Sequence, residues 1–123
     1  MTENEISYII RGAIYEVYNT LGPGLLESVY EEALLFELEQ AGLKVKRQVD
    51  VPINYKGHKL ANDLRLDLLV EEKVIIELKS VQELQNVFYK QTLTYLKLTG
   101  LKLGILVNFN TDRINDNIKR IVN

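Results

Sequence analysis

The segment Asp67-Leu-Leu-Val-Glu-Glu-Lys-Val-Ile-Ile-Glu77-Leu-Lys79 reads as two apolar strands joined by a charged turn at Glu71, Glu72 and Lys73. In the second strand a period of two sets Glu77 and Lys79 on one face and Val74, Ile76 and Leu78 on the other. In the first, Leu66, Leu68 and Val70 share a face, which turns Asp67 the opposite way with Arg65 and Leu69. Paired as a hairpin, the strands bring two carboxylates and an ammonium to one side of a sheet. Two carboxylates supply the hard oxygen ligands that Mg²⁺ accepts. A neighbouring cation can hold a water or stabilise charge on a phosphate. Charged residues alternating with aliphatic ones are also the pattern of a solvated strand, so residues elsewhere must weigh the two readings.

Glu27, Tyr30 and Glu31 share one helix face by their i, i+3, i+4 spacing. Glu27 is on its own a favourable first-turn acid beside a helix dipole; beside Asp67 and Glu77 it is a third carboxylate that could complete a metal shell. Gln91 and Tyr95 lie four apart on a later helix, with Phe88 one turn before them. Phe88 and Tyr95 suit a core with Gln91 at its boundary. They also suit a site in which Gln91 fixes the lysine or the substrate and Tyr95 meets phosphate or sugar.

The elements that must position these groups follow from periodicity and breakers. Ile6, Ile9, Ile10, Ala13, Ile14 and Val17 predict a helix over about Asn4–Asn19, stopped by Leu21-Gly-Pro-Gly24. A second helix is expected from about Leu25 to Gly42, with Val29, Tyr30, Ala33, Leu34 and Leu38 inward and Gly42 as a left-handed cap. Short strands near Val45–Ile53 and Lys59–Leu60 precede the hairpin. A third helix over about Gln82–Thr99 follows, then a strand at Leu101–Phe109. The tail Ile118–Val122 fits either a strand or a short helix. This order describes an α/β (α+β mixed) fold, a central mixed β-sheet flanked by helices.

Length and composition narrow the chemistry. A chain of 123 residues with 46% hydrophobic and 26% charged residues fits one soluble domain over 1–123. With no apolar run near the ~20 residues of a membrane span and a polar, acidic start, a cytoplasmic location without membrane contact is expected. There is no cysteine and one histidine, His58 in an expected turn, so any metal must be held by oxygen. Net charge is −2, but it is unevenly spread: residues 1–43 hold eight acids and one base, Arg11. Lys44, Lys46, Arg47, Lys56 and Lys59 then face Asp50 alone, a strip that could track a phosphate backbone or be a solvated hairpin.

Gly24-Leu-Leu-Glu27-Ser-Val-Tyr30 is the motif Gly-x-x-Glu-x-x-Tyr, and the chain resembles the GxxExxY family of small bacterial and archaeal proteins, placed in the PD-(D/E)XK nuclease superfamily. The likeness continues through Asp67…Glu77-Leu-Lys79, Gln91-x-x-x-Tyr95-Leu, Gly104-Ile-Leu-Val-Asn-Phe109 and Ile118-Lys-Arg-Ile-Val122. It implies a restriction-endonuclease-like core and a Mg²⁺-dependent nuclease, with Mn²⁺ an alternative, acting on DNA ahead of RNA. By resemblance Asp67, Glu77 and Lys79 are the signature acids and lysine, Glu27 the helix-borne glutamate, and Gln91 with Tyr95 the Gln-x-x-x-Tyr element. Asp67, Glu77, the carbonyl of Leu78 and Glu27 are then the expected metal ligands. Gln91 would support Lys79, Tyr30 and Tyr95 would border the cleft, and Lys44, Lys46 and Arg47 would take distal phosphates. A homodimer is implied by analogy with compact resolvases. Leu66 stands where the superfamily name has proline, and Tyr18 where many family members are expected to have histidine. Two rival readings remain: a silent nuclease fold that binds nucleic acid or a partner protein, and carboxylates that merely satisfy Arg65 and Lys79.

Overall fold

The computed structural model describes residues 1–123. Helix α1, Glu3–Leu21, begins at a capping box in which the Thr2 hydroxyl accepts from the Glu5 N–H and the Glu5 carboxylate accepts from the Thr2 N–H. Ile6, Ile10, Ala13, Ile14 and Val17 are buried, as their spacing predicts. Gly22, at φ 70°, takes the chain out of the helix. Helix α2, Glu27–Gln40, starts two residues later than expected and ends two earlier, with Leu26 as its N-cap. The Leu25 N–H is bonded to the Tyr30 hydroxyl, so Leu25 belongs to the turn. Val29, expected inward, is exposed; Tyr30, Glu31, Leu34 and Leu38 hold the buried face.

Strand β1, Val45–Tyr55, pairs antiparallel with β2, His58–Val70. The second expected short strand is therefore the start of one long strand that runs unbroken into the Asp67 segment. The turn between them has Lys56 at φ 49° and Gly57 at φ 82°, the signs of a two-residue type I′ connection. Strand β3, Val74–Lys79, pairs antiparallel with β2 and parallel with β4, Leu103–Asn108. The parallel pair needs a crossover, which helix α3, Asn86–Thr99, provides. It begins four residues later than expected, after a turn whose first residue, Val81, has its N–H and C=O bonded to the Asn108 side chain. The tail is a 3₁₀ turn, Ile114–Asn117, and a strand β5, Ile118–Val122, antiparallel to β4. The sheet order is β1-β2-β3-β4-β5, a mixed sheet between helices as expected.

The two faces are unequal. Under α1 and α2 lies a cluster of 20 buried residues, while five form the cluster beneath α3. No helix is long and apolar enough to cross a membrane. The thin face relies on close approach: a Cβ at Gly104 of β4 would meet the Thr92 Cγ2 of α3 at 2.9 Å. Gly104→Ala is expected to destabilise the fold by about 1–3 kcal/mol in urea unfolding. Adding Thr92→Ser, which removes that methyl group and keeps its hydroxyl, should restore part of the loss. Equal stability of Gly104→Ala and wild type would show that the approach is not limiting.

Candidate active site

β2 and β3 pair from Val70↔Val74 to Leu68↔Ile76. Asp67 and Glu77 would come next in that register, but here the strands part and side chains replace main chain. Glu77 Oε1 accepts from the Asp67 N–H at 3.2 Å, and Asp67 Oδ2 accepts from the Leu78 N–H at 2.9 Å. Each acid thus holds the backbone of the opposite strand. The interlock sets both carboxylates at the split and leaves Asp67 Oδ1 and Glu77 Oε2 outside these two bonds.

On the other side of β2 the ladder also fails at this level. The register with β1 skips Gln48 opposite Asp67 and resumes unshifted at Val49↔Leu66. Gln48 has φ 51°, a conformation costing a non-glycine residue about 1–3 kcal/mol. It lets successive side chains reach one carboxylate: Glu31 accepts from Arg47 Nη2 at 2.8 Å and from Gln48 Nε2 at 2.5 Å. The pleat inverts here as well. Leu68 and Val70 pack beneath α1 and α2, whereas Leu64 and Leu66 pack beneath α3. Leu66 therefore does not share a face with Leu68 and Val70, because strict alternation requires unbroken extended backbone.

A cleft of about 130 Å³ opens at this point, lined by Glu27, Ser28, Glu31, Gln48, Asp67 and Leu78. The Leu78 side chain is buried in the core, so Leu78 offers the cleft its main chain. Glu27, the first residue of α2, reaches the same cleft as Asp67; Glu77 is buried at 4% exposure. No three acidic side chains are gathered into a ready-made metal cage. Two carboxylates with oxygens outside the interlock, and the Leu78 main chain beside them, still suit a hard divalent cation. Burial, and then the negative charge of Asp67, push Glu77 up to about 9. At neutral pH its surroundings therefore keep it protonated.

The α3 side carries the remaining expected residues. Tyr95 has its hydroxyl pKa raised by burial and then by the charges of Glu77 and Asp67, which places it in the field of the acid pair. Gln91 is half-buried one turn earlier. Lys79 Nζ sits 4.7 Å from the Phe88 ring centroid, so the ammonium rests on α3 instead of between the carboxylates.

The expectations for Tyr30, Lys44, Lys46 and Arg47 change in the folded chain. Tyr30 is fully buried, stacked on Phe109 at 4.5 Å, and its hydroxyl donates to Gly22 O and accepts from Leu25 N–H. It pins the turn that delivers Glu27 and does not border the cleft. Lys46 pairs with Glu72 at 2.5 Å, and Arg47 is committed to Glu31. Lys44 shares a hollow with Glu39, Glu71 and Glu72, so residues 44–47 present no bare basic strip. Tyr18, in the place of the expected histidine, donates to Thr111 O at 2.5 Å and ties α1 to the loop after β4. Gln48 and Asn108 were not singled out by sequence: a positive φ at glutamine and a bond from Asn108 to Val81 leave no local pattern.

A family model described as the PD-(D/E)XK nuclease superfamily matches residues 4–121. No curated protein and no solved structure matches significantly.

Glu77 holds its proton more tightly folded, at about 9, than at its ordinary value of 4.5. The folded state then binds the extra proton between those values, so this contribution is full below the lower and is lost as pH rises through the higher. Without metal, the melting temperature should fall more steeply from pH ~5 to ~9 in wild type than in Glu77→Gln; parallel profiles would refute the burial of a protonated Glu77. Tyr30→Phe keeps the stacked ring and removes both turn bonds, with an expected loss of about 1–3 kcal/mol. Unchanged urea stability would show that the turn holds itself.

Proposed function

The chain belongs to the PD-(D/E)XK nuclease superfamily, and from that premise we propose that it is a Mg²⁺-dependent nuclease hydrolysing phosphodiester bonds of DNA, with Mn²⁺ as a substitute and RNA the less favoured substrate. Within the superfamily the Gly-x-x-Glu-x-x-Tyr stretch supports the GxxExxY family, and residues 1–123 act as one domain. The observation that carries the reading is the Asp67–Glu77 interlock at the split between β2 and β3.

Asp67, Glu77 and the Leu78 carbonyl would hold the cation, with Glu27 joining directly or through water. The ion, when bound, supplies a water of lowered pKa and screens the phosphate charge. Lys79 orients that water or stabilises charge on the phosphoryl oxygens. Its contact with Phe88, between two half-buried side chains, is worth about 0.5–2 kcal/mol, weak enough to give way to a phosphate. Gln91 steadies Lys79, and Tyr95 borders the substrate from α3. Gln48 and Arg47 act as positioning residues, fixing Glu31 at the cleft wall. A homodimer would place two such sites for two-strand cleavage.

A second reading, a silent nuclease fold that binds nucleic acid or a protein, draws on the ungathered acids and the displaced Lys79. Cleavage of labelled DNA with Mg²⁺, Mn²⁺ or chelator decides between them. Activity should require the metal and fall about 10²-fold or more in Asp67→Asn, Glu77→Gln and Lys79→Ala, whose melts remain cooperative. Undiminished cleavage in any of the three would remove that residue from the site. No cleavage, together with no metal-linked rise in melting temperature, would establish the binding module.

A further inference from the structure

Arg11 is the sole base among residues 1–43, a stretch with eight acids. The molecule has three ion pairs, Lys46–Glu72, Arg47–Glu31 and Arg65–Asp50, and neither Arg11 nor Arg120 takes part in one. Yet these two arginines line a single cavity of about 200 Å³ with Ser7, Ile105 and Ile118, between α1 and β5. Asn4, Ser7 and Arg11 follow one stripe of α1 by their spacing of three and four. Arg120 reaches that stripe from β5, where Nη1 donates to the Ser7 hydroxyl at 3.3 Å and Nη2 donates to Asn4 Oδ1. Both partners are neutral, so the guanidinium is oriented without being neutralised. Arg11 lies over the Tyr15 ring at 5.5 Å, again an uncharged partner.

We propose that this cavity is a phosphate-binding site, distinct from the cleft at Asp67. Two guanidinium groups from different elements line one cavity that has no carboxylate in its lining, and both are already partly ordered. Their planar forks, with the Ser7 hydroxyl, offer more donors than one carboxylate can use and match the oxygens of a phosphate group. The volume exceeds the ~30 Å³ share of a single water several-fold, and the Ile105 and Ile118 floor lowers the local dielectric. The phosphate is either that of a nucleic-acid backbone or a free phosphate monoester; the chemistry of recognition is shared.

The test uses the full chain with chelator present, so that no metal draws phosphate to the acid cleft. Melting temperature is followed against inorganic phosphate at ionic strength held constant with chloride. Wild type should be stabilised; Arg11→Ala and Arg120→Ala should each lose at least half of the shift, and the double variant all of it. Arg120→Lys, which keeps the charge but not the fork, should retain only part. No phosphate shift in wild type, or the same shift in the double variant, overturns the proposal. Anisotropy with a labelled duplex then identifies the source. A tenfold loss of affinity in the double variant, with a salt slope shallower by about one, assigns the site to backbone phosphate. Unchanged duplex affinity beside a lost phosphate response assigns it to a free monoester. Neither arginine touches the acid pair, so failure here leaves the cleavage reading standing, and failure of cleavage leaves this site standing.

Discussion

Two carboxylates bond the main chain of each other's strand at the point where β2 leaves β3, and the remainder of the site is arranged around that exchange. A strand pair that parts inside a protein leaves N–H groups unsatisfied, which costs about 1–3 kcal/mol for each buried one. Asp67 and Glu77 satisfy them with side chains, so the sheet can open without orphaned donors. The price is electrostatic: two acids share a small, largely buried space, and Glu77 retains a proton to make this tolerable. An arrangement that is satisfied in hydrogen bonds but frustrated in charge is well suited to a small, doubly charged ion.

The surrounding elements explain how such a gap stays open. On one side α2 is anchored by Tyr30, whose hydroxyl spans the Gly22–Leu25 turn, and Ser80 donates to Leu25 O, joining the same turn to the end of β3. On the outer side Gln48 accepts an unfavourable backbone to join Arg47 on Glu31. Only the Glu31 end of this pair is buried, and the two donors it accepts from β1 tie that strand to α2. At the far end of β3, Asn108 captures both polar groups of Val81 and fixes the start of the turn that leads to α3.

Much of this was legible from residue order. Two acids and a lysine at period-two spacing around a short charged turn placed the hairpin, and Gly22-Pro-Gly24 marked the start of the second helix and so the position of Glu27. Patterns of this kind report local geometry. They are silent where a residue's partner comes from elsewhere: Lys46 meets Glu72 and Arg47 meets Glu31, so two bases of a run that reads as free are paired with acids the local pattern does not show. The inversion of the pleat at Gln48 and Asp67 is hidden for a related reason. No residue type there asks for a positive φ, and the buried Glu31 supplies the cause. Tyr30 shows the converse, a motif residue seen in sequence whose task is to hold a turn.

The unequal division of the core bears on how the molecule breathes. Helix α3 buries only Thr92 and Leu96, whereas α1 buries five side chains into the larger cluster. Elements with few buried contacts open at lower free energy than the global transition. The α3 amides should then exchange with solvent through local excursions while those of α1 wait for complete unfolding. Helix α3, which bears Tyr95 and Gln91, is consequently the compliant element, and the acid pair, set in β2 and β3, is the rigid one. Local opening of α3 would uncover the small cluster beneath it and leave the Asp67–Glu77 interlock in place.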